Sequence, residues 1–210
     1  TAMGLLKSGD HIVSSTSIFG ASIQLFQNIL GKFGVETTFV DGASLAAWQG
    51  AVRPTTKLFF LETPSNPLTE IADIRTLCDV AHARGILVAV DNCFCTPVLQ
   101  RPLDLGADMV VHSATKFLSG HGTVIGGLVV DGGSFDWDGP KSAGKFAELT
   151  QPYDGFHNMV FTEESTVGAF LLRARREGLR DFGACMSPHT AWLILQGIET
   201  LPLRMERHVA

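Results

Sequence analysis

The chain has no surplus of positive charge. Its formal charge is −5, and its Lys and Arg residues are scattered rather than gathered, which excludes the electrostatic footprint of a nucleic-acid binder. No run approaches the ~18 uncharged apolar residues of a membrane span. The opening TAMGLLKSGDH lacks a basic segment followed by an apolar one, so no secretory signal is visible. Cysteine is sparse. Cys78, Cys93, Cys95 and Cys185 show neither CxxC spacing nor the density of a disulfide scaffold, and no His/Cys/Asp cluster has metal-ligand spacing. A metal site is therefore not expected, and a reducing cytoplasm is. Internal repeats and low-complexity tracts are also missing.

What remains is a chain of 210 residues, 45% hydrophobic and 18% charged, enough for one substantial core. Short apolar strands alternate with amphipathic helical stretches, which predicts an α/β fold with a mostly parallel sheet in three layers. Strands are expected at HIVSS, VETTFV, KLFFLE, ILVAVD, ADMVVH and IGGLVVDG. The continuous apolar run of KLFFLE suits a sheet covered on both faces. Helices are expected at SIQLFQNILGKFG, SLAAWQGAV and IADIRTLCDVAHARG. In the last of these, Ile71, Ile74, Leu77, Cys78 and Ala81 share one face before a closing glycine. PVLQRPLDLG reads as a short helical turn. After Gly133 the aromatic, turn-rich stretch SFDWDGPKSAGKFAELTQPYDGFHNMVF reads as a long ordered loop or insertion. Helical stretches STVGAFLLRARREGLRDFG and HTAWLILQGIETLPLRMERH follow. The sequence opens in the helix-like TAMGLLK and stops in another helix, as part of a longer polypeptide would.

Three strands end in residues with chemical potential. KLFFLE delivers Glu62 and then Thr63-Pro64-Ser65-Asn66-Pro67, ILVAVD ends on Asp91-Asn92, and ADMVVH runs into His112-Ser113-Ala114-Thr115-Lys116. Taken alone, Lys116 is an ordinary loop lysine, Asp91 a helix cap, and Asn66 a turn residue between prolines. In a parallel sheet with right-handed crossovers, however, these ends lie on one edge, where such folds bind ligands. A carboxylate, a lysine and hydroxyls on one edge meet the requirements of pyridoxal phosphate. The lysine forms a Schiff base with the aldehyde, the carboxylate holds the pyridine nitrogen protonated, and hydroxyls receive the phosphate. Phe19, after HIVSS, is a ring that can stack on a planar cofactor or belong to the core. His112 and His121 fit a backbone-bonded core histidine and a solvated turn better than catalysis.

The runs SATKFLSGHG, ETPSNP and VDNCFCTP together resemble the Cys/Met-metabolism family of fold-type I pyridoxal-phosphate enzymes, along essentially the whole chain. VVDGGSFDW, LRDFGACMSP and LQGIETLPLRMERH are most similar to O-acetylhomoserine sulfhydrylase. SSTSIFGAS and FFLETPSNP are closer to O-succinylhomoserine sulfhydrylase. The resemblance implies that residues 1–210 are the large cofactor-binding domain. The family's Ser-Gly-Met phosphate loop and N-terminal arm would precede Thr1, and a small C-terminal domain with the carboxylate-binding arginine would follow Ala210. It implies Lys116 as the Schiff-base lysine and proton carrier, Asp91 as the partner of the pyridine nitrogen, and Ser113 and Thr115 at the phosphate. Asn66 would lie near the ring hydroxyl, with Glu62 supporting that region. Phe19 takes the stacking position, where the family usually has a tyrosine, and Cys93 replaces its usual threonine.

The implied activity is γ-replacement on an O-acylhomoserine, with sulfide or a thiol displacing the acyl group to give homocysteine. Cystathionine γ-synthase or a methionine or cystathionine γ-lyase is the alternative on the same scaffold. The implied assembly is a homodimer or homotetramer with shared active sites. A nucleotide-binding module is disfavoured, because the glycines of Gly120-His121-Gly122-Thr123-Val124-Ile125-Gly126 have the wrong spacing and precede a strand.

Overall fold

The computed structural model describes residues 2–165 and 168–210. Thr1, Thr166 and Val167, which fall in two of the expected helical stretches, lie outside the described residues. Six strands form one sheet: β1 (His11–Ser15), β2 (Glu36–Val40), β3 (Thr56–Glu62), β4 (Leu87–Asp91), β5 (Met109–Ser113) and β6 (Gly127–Asp131). Their spatial order is β2-β1-β3-β4-β5-β6. The first five run parallel, and β6 returns antiparallel to β5. All six expected strands are present, but the reversal of β6 carried no local signal.

The central strands are apolar throughout because both faces are buried. Every residue of β3 is buried. Leu58 and Phe60 join one core with Ile12, Leu87 and Ala89, whereas Phe59 and Leu61 join another with Val13, Val88 and Val90. This is the period-two alternation of a pleated strand, with hydrophobic residues pointing both ways.

Helices α1 (Ala2–Leu5) and α2 (Gly20–Gln24) lie on the first face, and α2 runs on through wider and tighter turns to Phe33. Gly34 ends that stretch at φ +78°, the left-handed conformation that glycine adopts without strain. The second face is covered by α3 (Leu45–Ala51), capped by Ser44, and α4 (Ile74–His82), capped by Asp73. The Asp73 cap starts α4 three residues later than the apolar periodicity suggested, so Ile71 stands outside it and is exposed. Short helix α5 (Thr96–Leu99) follows β4.

The aromatic insertion is more ordered than a loop. It contains α6 (Ala147–Thr150) and α7 (Phe161–Glu164), and Phe135, Trp137 and Phe146 pack edge-to-face at 4.8–5.3 Å against the first core. Buried Lys57 at the start of β3 ties it down, pairing with Asp10 at 2.8 Å and with Glu148 of the insertion at 3.2 Å. Helix α8 (Ala169–Arg173) follows. The last helical stretch divides at Thr200 into α9 (Pro188–Glu199) and α10 (Leu201–Val209). No helix among the described residues is long and apolar enough to cross a membrane.

Candidate active site

Parallel β3, β4 and β5 finish side by side. Glu62 on β3 is the register partner of Asp91 on β4, which in turn pairs with Val111 on β5. A cavity of about 630 Å³ opens at this edge. Phe19, Glu62, Asn66, Asp91, Ser113, Thr115 and Lys116, the seven residues singled out from the sequence, all line it. Its size suits a ligand of cofactor dimensions.

Glu62 is buried, and its Oε2 accepts the backbone N–H of Phe19 at 2.7 Å. That bond fixes the residue just before α2 and leaves the Phe19 ring 52% exposed toward the cavity. Burial, and then the facing Asp91, push the Glu62 carboxyl up to about 7. Burial likewise pushes Asp91 up to about 6, although the Cys93 N–H donates to its Oδ1 at 3.0 Å. Two desolvated carboxyls at neighbouring registers favour a cationic ligand atom, and a protonated ring nitrogen is one. Cys93 lines the same cavity. Burial, reinforced by Asp91 and Glu62, pushes its thiol up to about 11, so it stays protonated near neutral pH.

The next residue, Asn92, is buried and holds the loop in shape. Its Nδ2 donates to the carbonyls of Thr96 and Gln100 at 3.0 and 2.8 Å, and its Oδ1 accepts from Gln100 Nε2 at 2.9 Å. Gln100 Nε2 also donates to Thr63 O at 2.8 Å, joining the loops after β3 and β4.

Lys116 lies in the turn Ala114–Leu118 that follows β5, at φ −93° and ψ −121°, where the backbone leaves helical values. The Thr115 hydroxyl donates to Gly126 O at 3.2 Å and accepts the Gly126 N–H at 3.0 Å. Its proton is thus held by the backbone leading into β6. Ser113 lines the cavity one residue before the turn begins. His112 is buried, with burial holding its imidazole below its ordinary value, and His121 Nδ1 bonds Ser119 O at 2.6 Å. Chemically, the cavity offers an amine for an electrophilic carbon, a carboxyl pair for a cation, a hydroxyl for an anion and an aromatic face for a flat ring. Those four features fit pyridoxal phosphate.

Sequence reasoning missed Phe94, Phe117, Arg204 and His208, which line the cavity too. Arg204 and His208 lie one turn apart on α10, close to 90 residues after the lysine turn. Their spacing of four on an amphipathic helix is the only sequence signal for a shared face.

The family model described as Cys/Met metabolism PLP-dependent enzyme matches residues 1–210. The chain is 43% identical over 208 residues to O-succinylhomoserine sulfhydrylase of Pseudomonas aeruginosa, covering 99% of this chain and 43% of that protein. It is also 43% identical over 214 residues to O-acetyl-L-homoserine sulfhydrylase of Leptospira meyeri, covering 98% of this chain and 48% of that protein. A Campylobacter jejuni crystal structure assigned as O-acetylhomoserine (thiol)-lyase superposes with a TM-score of 0.92 at 32% identity, covering 98% of this chain and 50% of that one. That structure carries N′-pyridoxyl-lysine-5′-monophosphate. The present chain spans about half the length of the relatives it matches. By its match over every residue, the chain belongs to the Cys/Met-metabolism family of pyridoxal-phosphate-dependent enzymes.

Proposed function

We propose that residues 1–210 are the cofactor-binding part of an enzyme that replaces the acyl group of an O-acylhomoserine with sulfide, forming homocysteine. The observation that carries this reading is the convergence of Lys116 and Asp91 on one cavity. Similarity to a succinyl- and an acetyl-type sulfhydrylase at the same identity supports the substrate class and leaves both acyl groups in play.

Bound pyridoxal phosphate supplies the electron sink that stabilises negative charge at the substrate α-carbon. Lys116 would hold the cofactor through its Nζ, and the same amine, when free, would move protons at the adjoining substrate carbons. In the replacement, the Cγ–O bond breaks, the acyl group leaves as a carboxylate, and a Cγ–S bond forms. Asp91 would hold the proton of the ring nitrogen, and that cation would keep Asp91 ionised against its burial. Ser113 would offer a hydroxyl to the phosphate, and Thr115, bonded to Gly126, would border it. Phe19 would offer its face to the ring and Asn66 would bind its hydroxyl, while Glu62 holds the Phe19 backbone in place.

The proposal extends to a homodimer or homotetramer, supported by the exposed apolar residues Leu25, Ile29 and Phe33 near one another in sequence. It extends to a cytoplasmic setting, supported by four free cysteines. Light scattering and cell fractionation test these two points.

The central test uses the full-length protein. A yellow chromophore that borohydride reduces onto Lys116, and homocysteine from acylhomoserine plus sulfide, are expected. Formation of 2-oxobutyrate and ammonia instead assigns a γ-lyase. Full turnover by Lys116→Ala removes the reading altogether.

A further inference from the structure

The lysine turn is held by residues far along the chain. Arg204 Nη1 donates to Phe117 O at 2.8 Å, and Nη2 donates to Gly197 O at 2.7 Å. Arg204 Nε donates to Thr200 Oγ1 at 3.1 Å. One planar guanidinium therefore bridges the carbonyl next to Lys116 to the end of α9. Its fork geometry suits two carbonyls at once, which a lysine ammonium does not reproduce.

The surroundings leave no slack for this bridge. Gly120, at φ +71°, passes so close that a Cβ there would lie 2.6 Å from Arg204 Cζ. A Cβ on Gly197 would collide with the Ser119 carbonyl. The Phe117 ring meets His208 of α10 edge-on at 5.1 Å. Ala114 and Leu118 of the turn pack in a small separate core with Ile194, Leu201 and Met205 of α9 and α10. Arg204, His208 and Lys116 line the same cavity.

From this geometry we infer that Arg204 is a positioning residue for Lys116. It fixes the Phe117 carbonyl, and with it the backbone from which the lysine side chain departs. The placement of α10 thereby sets where the amine stands relative to the Asp91 side of the cavity. The inference rests on the reading of Lys116 as the cofactor-bearing lysine. It concerns how that lysine is held, a role distinct from contact with substrate.

The test compares wild type, Arg204→Met, Arg204→Lys and His208→Ala as full-length holoenzymes. The readouts are the pH titration of the lysine-bound visible band, kcat and KM measured separately, and Tm. Arg204→Met should move the titration midpoint by about one pH unit, because a displaced amine meets its neighbours at altered distance. It should lower kcat about tenfold or more with KM changed far less, as misplacement of a reacting group does. Arg204→Lys, able to reach one carbonyl at a time, should fall between, and His208→Ala should shift the midpoint in the same direction by less. A wild-type protein without a lysine-bound band defeats the underlying reading of the site. A normal wild-type band with an unmoved midpoint in Arg204→Lys overturns the positioning role. So does a loss in Arg204→Met confined to Tm. If Arg204→Met does not fold, the Lys and Ala variants decide alone.

Discussion

Glu62 and Asp91 stand opposite each other as register partners at the ends of β3 and β4, two carboxyls on adjacent strands at one rim of the sheet. Like charges across a strand pair destabilise a sheet unless a counter-charge intervenes. The rim is therefore arranged for a bound cation at a cost to the protein without one.

Asp91→Asn should make the cofactor-free protein more stable and the enzyme inactive. The folded-state value of Asp91 is about 6, against an ordinary 3.8. Between those values the folded chain holds the proton more tightly than the unfolded chain, so stability falls as pH rises through that window. Neutral asparagine removes this penalty. Urea unfolding at pH 8 should show a gain of about 2–3 kcal/mol, fading out below about pH 3, where the carboxyl is protonated in both states. Turnover should fall by about 100-fold or more, because the ring nitrogen loses its partner.

His11 predicts the opposite slope. The ring is fully buried between β2 and β3, with Nδ1 2.8 Å from Thr56 Oγ1 and Nε2 2.8 Å from Thr38 Oγ1. Burial, aided by Arg53, lowers its value to about 4 from an ordinary 6.5. The unfolded chain thus binds the proton first on acidification, and stability drops as pH falls from 6.5 toward 4. Tm followed across that range should decline in wild type and flatten in His11→Asn, whose side chain does not titrate.

Asn92→Ala should destabilise the fold by about 1–2 kcal/mol, since it leaves the Gln100 carbonyl without its donor and removes one of two bonds each from Thr96 O and Gln100 Nε2. The expected signature is a lower urea midpoint at unchanged slope.

Phe19→Ala should raise the dissociation constant for pyridoxal phosphate about fivefold, the worth of one aromatic stack. Phe19→Tyr, which keeps the ring, should bind as wild type does. Equilibrium dialysis of the apoenzyme separates the two outcomes.

The sheet and most of the cavity were legible in the sequence for one reason: strands buried on both faces read as apolar runs, and a parallel arrangement delivers their ends to one edge. Glu62, Asp91 and Lys116 were found by that logic without knowing any distance between them. The start of α4 was misplaced because Ile71 continues the apolar period, while the cap that sets the boundary is the Asp73 side chain. Phe117, Arg204 and His208 were not found, because a bond spanning 87 residues leaves no mark in either local pattern. The doubled role of Thr115 was hidden for the same reason, its partner Gly126 being placed by the reversal of β6.

That reversal bears on the order in which the molecule assembles. A parallel β6 would need a crossover of a dozen or more residues, usually a helix, to return to the starting edge. An antiparallel β6 needs none, and α9 and α10 pack against the lysine turn instead. Closing a loop of nearly 90 residues is a late event for a chain, because its entropy must be met before the contacts form. The sheet can therefore be complete, with Thr115 already tied to Gly126, before α9 and α10 brace the turn that carries Lys116. Competence for cofactor capture should then lag behind secondary structure in a refolding time course, arriving only when residues 188–209 dock.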